Sequence, residues 1–286
     1  MSHLAALDPL PGGSADSAVA RRIPRVPAAD VAAPVSQAKV IRSEWLKFRT
    51  LRSTLAVLGA AVVGMLVLSA VIGYNTRHAT GIAPEDSAPS GVLQGYFLGQ
   101  LLIGSLGVLF VTGEYSTGMI RSTLAAVPRR LPVLRAKVVV FALVVATAMI
   151  AASVGAFLIG QAVLSQYRPA HSLSDAGALR VVLGTGVYLT LIGLLGSALG
   201  WIIRSTPGAL VAVVGLLLVI PVLLGNLLGA WGRHVAEYLP SVAGGSWAQS
   251  LRGPDSLAPW TGLAVLATWV VAGLVIAAVQ LRRRDA

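Results

Sequence analysis

Six stretches of this sequence run for 23 to 30 residues without one Asp, Glu, Lys or Arg: 53–76, 87–113, 138–167, 181–203, 205–232 and 256–281. A charge at the centre of a membrane helix costs roughly 2.5–3.5 kcal/mol on insertion scales. About 20 mostly apolar residues are enough for a helix to cross the hydrocarbon core. Buried helices of soluble domains are usually shorter and keep a polar face. The six stretches therefore predict an all-α polytopic membrane protein with six transmembrane helices, at residues 54–74, 93–113, 138–164, 181–203, 208–229 and 260–281. Composition agrees: 56% of residues are hydrophobic, 31 more are glycine, and 12% are charged, against ~25% charged in soluble domains. With no cysteine in the chain, disulfides, thiolate metal sites and cysteine nucleophiles are excluded. Pro207, Gly208 and Pro221 predict a kink or an irregular entry in the fifth stretch.

The charges sort by side. Seventeen Lys and Arg fall before span one, between spans two and three, between four and five, and after span six; the other loops hold five. The positive-inside rule then places both termini in the cytoplasm of a cell-membrane protein. The net charge of +11 is accounted for by this asymmetry and needs no nucleic-acid partner.

Residues 1–36 are rich in Ala, Pro and Ser without an apolar period, and read as a disordered cytoplasmic tail. Residues 37–52 predict an amphipathic helix in the membrane interface, bases toward anionic lipid. Val40, Ile41, Trp45, Phe48 and Leu51 share its apolar face; Glu44 and Arg52 intrude on it. The run "GEYSTGMIRSTLAAVPRRLPVLRAK", 113–137, is longer than a mere connection requires. Glu114 stands at the membrane boundary and Gly118 interrupts the backbone. Ile120, Leu124 and Val127 then form a short apolar stripe, so a short cytoplasmic loop helix is predicted at 115–127. Pro128 ends it, and Pro132 opens the helix that continues into span three.

The loop between spans five and six carries Trp231, Tyr238, Trp247 and Trp260, and "EYLPSVAGGSWAQSL" is apolar enough to dip back as a re-entrant segment. Three Gly-x-x-x-Gly spacings, at 95/99, 196/200 and 225/229, are candidate helix contacts. None of the three lysines lies in a P-loop, so this chain has no such ATP site. The four histidines are far apart, no H-E-x-x-H or G-x-S-x-G occurs, and no acid or histidine sits in mid-span. No catalytic, cofactor or metal residues are predicted.

The run "IRSEWLKFRTLRST" before span one resembles the start of permease subunits of the type-2 ABC transporter family. "GVLFVTGEYSTGMIRSTLAAVPRRLPVLRAK" is similar to the family's span two–three segment, and "YLPSVAGG" and the terminal "LRRRDA" also fit. The resemblance covers 37–286, which would form one six-helix permease domain. It implies dimeric assembly, with a second permease copy or a related chain, and a separate cytoplasmic ATP-binding subunit that holds the ATP and magnesium. It further implies that the helix at 37–52, with Ile41, Trp45 and Phe48, and the loop helix face that subunit. Carried over residue by residue, the coupling-loop positions are Glu114, Gly118, Arg121, Pro128, Arg130 and Lys137. The charge-free spans suggest an exported apolar or amphipathic compound. The rival reading is a self-contained channel or carrier, or a membrane anchor of a signalling complex.

Overall fold

The computed structural model describes residues 36–76, 89–126, 130–166, 171–250 and 256–283. The tail at 1–35, most of the first outer loop, and Val127, Pro128 and Arg129 lie outside the described residues. Among the described residues the chain is helical without strands, and six of its helices are long and apolar enough to cross a membrane, as expected.

Helix α1, Gln37–Thr50, precedes span one, α2, Arg52–Thr76. Span two ends in α3, Tyr96–Ser116, and the loop helix is α4, Met119–Ala126. Spans three and four are α5, Leu131–Leu164, and α6, Ala178–Ile203. Span five is α7, Thr206–Leu227. Two short helices follow, α8, Gly229–Ala236, and α9, Pro240–Ala248, and span six is α10, Pro259–Arg283. At 34 residues, α5 is about 51 Å long at 1.5 Å per residue. A bilayer core is ~30 Å thick, so α5 extends well beyond it.

α3 and α6 form the centre. Most of each is buried within the chain, whereas α2, α7 and α10 keep most of their apolar surface outside. Glycines bring the two central backbones together. A Cβ at Gly107 would overlap the Gly193 carbonyl oxygen, and one at Gly196 would overlap that of Gly104. Of the spacings singled out in the sequence, Gly196 and Gly200 line this crossing, and Gly95 and Gly99 pack against Met65 and Leu189. Gly225 and Gly229 face open space. The main contact pairs, Gly104 with Gly107 and Gly193 with Gly196, are spaced by three residues, which also lie on one helix face.

The irregularity expected in span five is a wide turn. Pro207 sits in the first turn of α7, where its missing N–H is no loss. Before Pro221 the backbone opens into a π-turn at Gly215–Val219, with Ile220 N–H bonded to Gly215 O. A proline cannot donate to the helix ladder and its ring crowds the carbonyl four residues back; the extra residue accommodates both.

The loop before span six folds into helices that return along the bundle. α8 doubles back on α7, with Gly232 against Leu224. Tyr238 O accepts from Trp269 Nε1 at 2.9 Å, ten residues into α10, or about 15 Å from its start. α9 then climbs beside α6. Gly244 rests on Tyr188, and Arg180 donates to Trp247 O at 3.1 Å and Gln249 O at 3.2 Å.

The central crossing sets an expectation. Gly107→Ala or Gly196→Ala places a Cβ on backbone rather than on a movable side chain, so thermal unfolding in detergent should shift down by many degrees or the protein should fail to accumulate. Gly225→Ala, with nothing within 4 Å of the new Cβ, should match the parent.

Candidate functional site

Helix α1 puts Val40, Glu44 and Phe48 on one buried face, spaced by four residues, and this face packs on α5. The expected apolar face is thus rotated. Phe48 is buried, Ile41 is half-buried, and Trp45 and Leu51 are exposed. Leu51 is extended (φ −77°, ψ 101°) and forms the one-residue break before α2, which takes it off the helix face. Glu44, the acid that intrudes on the predicted apolar face, is fully buried.

Its burial is explained by its partners. Lys47 Nζ lies 2.7 Å from Glu44 Oε1 and 2.9 Å from Glu114 Oε1. Lys137 Nζ lies 2.8 Å from Glu44 Oε2 and 2.8 Å from Glu114 Oε1. Two carboxylates and two ammoniums therefore close a neutral cluster that ties α1 to the end of α3 and the start of α5. Phe48, Phe110 and Phe141 pack beneath it, with centroids 5.2–6.5 Å apart, and Lys137 Nζ stands 4.4 Å over the Phe110 ring. Glu44, Glu114 and Lys137 are almost wholly withdrawn from water, and deleting one partner of a buried pair typically costs ~3–5 kcal/mol.

At Lys47, burial alone would lower the pKa. Hydrogen bonds to Glu44 and Glu114, and the charges of both carboxylates, outweigh it and raise the pKa above the usual 10.5. A raised lysine value means that the folded chain binds this proton more tightly than the unfolded one. The Lys47 contribution is present below the unfolded value and is lost only as pH rises through the folded one.

The sequence family described as "ABC-2 family transporter protein" matches residues 40–222, a span that holds all four cluster residues. The chain belongs to the ABC-2 family of transporter proteins. It is a membrane subunit of an ABC transporter, of a family that is not itself catalytic and typically works with an ATP-binding subunit. No curated protein matches its sequence.

Of the positions that the resemblance implies for coupling, Glu114, Gly118, Arg130 and Lys137 lie among the described residues of this ABC-2 subunit. Glu114 ends span two inside the cluster, and Lys137 enters it from α5. Gly118 has φ +71°, the left-handed conformation that a side chain disfavours, and it turns the chain from α3 into α4. The loop helix begins only at Met119, because the turn holding Tyr115 and Ser116 still belongs to α3. Ile120 seats α4 in a second apolar cluster with Val40, Val133, Leu134, Trp201 and Leu281. Arg130 leads into α5 and donates from Nη1 to Leu281 O at 3.3 Å, reaching span six. Gln37 Nε2 donates to Pro132 O at 3.1 Å. Arg121 is on α4, with its side chain outside the described residues, as Pro128 is altogether.

Glu44 and Lys47 are the site residues that sequence reasoning misses. The available signal is an acid on the apolar face of an amphipathic helix, three residues before a lysine, in a chain with three lysines in all. Among the described residues no three potential metal ligands lie together.

Glu44→Gln and Lys137→Gln should each lower stability by ~3–5 kcal/mol, seen as a reduced midpoint of thermal unfolding in detergent. The double variant should lose clearly less than the sum of the two, because the charges depend on one another. Additive losses would show that the pair does not interact.

Proposed function

We propose that this chain is the membrane-spanning half of an ATP-driven transporter whose ATP, with magnesium, is hydrolysed on a separate cytoplasmic chain. That chain seats on α1 and α4. The observation that carries this reading is the neutral cluster: it fastens an amphipathic helix outside the spans to the ends of spans two and three, next to the loop helix. Force applied to α1 or α4 therefore reaches two spans at once through buried charges rather than through a loose loop.

The excess of bases before span one, in the loop of α4 and after span six supports cytoplasmic termini in a cell membrane. A second copy, or a related permease, completes the path, and membrane lipids surround the exposed apolar faces of α2, α7 and α10. The charge-free spans favour an apolar or amphipathic cargo moved outward. Glu114 and Arg130 hold the two ends of the loop that carries α4 and perform no chemistry.

Mild-detergent capture of the tagged protein from its native membrane tests this. A stoichiometric P-loop ATPase of soluble size is the expected companion. In Arg121→Glu with Arg130→Glu, companion and cargo movement should both be lost, by tenfold or more. Retention of both would overturn the docking surface. A preparation free of ATPase even after crosslinking would instead support a self-contained channel, carrier or anchor.

A further inference from the structure

Within the cluster the two lysines are not equivalent. Lys137, Glu44 and Glu114 have side chains 3%, 0% and 8% exposed, whereas Lys47 is 24% exposed. Lys137 sits deep between both carboxylates, at 2.8 Å from each. If Lys47 withdrew from Glu114, that carboxylate would keep Lys137, and Lys47 would keep Glu44 on its own helix at 2.7 Å. No charge would be stranded, so this exchange avoids the penalty of an unpaired buried ion.

Lys47 also makes a contact beyond the two carboxylates. Its Nζ lies 3.4 Å from Thr123 Oγ1 on the loop helix. Among the described side chains α4 has two anchors to the bundle, Ile120 in the apolar cluster and Thr123 on Lys47. It is joined to α3 through Gly118, where an added Cβ would meet nothing within 4 Å. One ammonium thus spans α1, α3 and α4. Lysine suits the position: a compact cation with three donors on a flexible stem exchanges partners readily, where a planar arginine fork holds one carboxylate in a set geometry.

We propose that Lys47 is a positioning residue that acts as a releasable pin, holding α4 and the end of span two to α1 until the ATP-binding chain draws α4 away. On release Lys47 leaves Thr123 and Glu114 and remains on Glu44, while Lys137 keeps Glu114 and stays fixed. This rests on the proposed function only for what triggers release; the pin itself is a property of this chain.

The absence of cysteine allows a direct test. Ser43 on α1 and Ser122 on α4 are exposed, and Ser43→Cys with Ser122→Cys places one spin label on each helix. Double electron–electron resonance in lipid nanodiscs reads their separation. On the chain alone, the parent should give one narrow distance, Lys47→Gln a distribution at least twice as wide, and Lys47→Arg a width near the parent's. Equal widths for Lys47→Gln and the parent would overturn the pin. With the co-purified ATPase chain and a non-hydrolysable ATP analogue, the parent should move to a second, longer distance; an unchanged distance in that complex would overturn release. Failure of any ATPase chain to co-purify counts against the proposed function, whereas the comparison of widths still decides the pin.

Discussion

Charge can be buried at a membrane boundary only where something nearby returns what water would have supplied. In this chain that is achieved by four side chains in a closed arrangement, Glu44 and Lys47 from α1, Glu114 from α3 and Lys137 from α5. Each carboxylate faces two ammoniums and each ammonium two carboxylates, so the group enters the apolar boundary with no net charge. The seat of α1 depends on it, because the helix buries Glu44 at the centre of its contact face. The ends of spans two and three depend on it as well, since without α1 neither Glu114 nor Lys137 would have its full set of partners.

The rest of the bundle hangs on a different kind of contact. α3 and α6 meet backbone to backbone, and the other spans lie around them. Side chains do the packing elsewhere, as where Phe48, Phe110 and Phe141 fill the space under the cluster. The buried hydroxyl of Tyr188 donates to the Gln100 side chain, linking α3 and α6 away from the glycines.

The six spans are legible because bilayer thickness sets a length, and charge-free runs of that length seldom arise outside a membrane. Gly118 and Pro132 are legible for equally local reasons, a left-handed turn and a proline-compatible first turn. The cluster is only half legible. Glu114 and Lys137 stand out at the boundaries of their spans, but Glu44 reads as a flaw in the apolar face of α1. A helical wheel ranks residues by hydrophobicity and carries no information about bases on other helices. The glycines meet the same limit. Spacings of three and of four both place residues on one face, and with 31 glycines spacing alone does not separate Gly104 and Gly107 from Gly225 and Gly229. The apolar segment before span six reads as folding back, while its helical form depends on partners on α6 and α10 that lie far away in the sequence.

The return of the chain at Tyr238 has a consequence for the surrounding lipid. Tyr238 reaches Trp269 within α10, with α8 before it in the chain and α9 after it. α8 lies against α7, and α9 against α6 and α10, so two short helices are added to the spans there. Helices with their side chains are each about 10–12 Å across, so α8 and α9 widen the protein where they lie. Trp231 and Val235 of α8 are exposed, so the surroundings of the bundle meet the returning chain there as well as the spans.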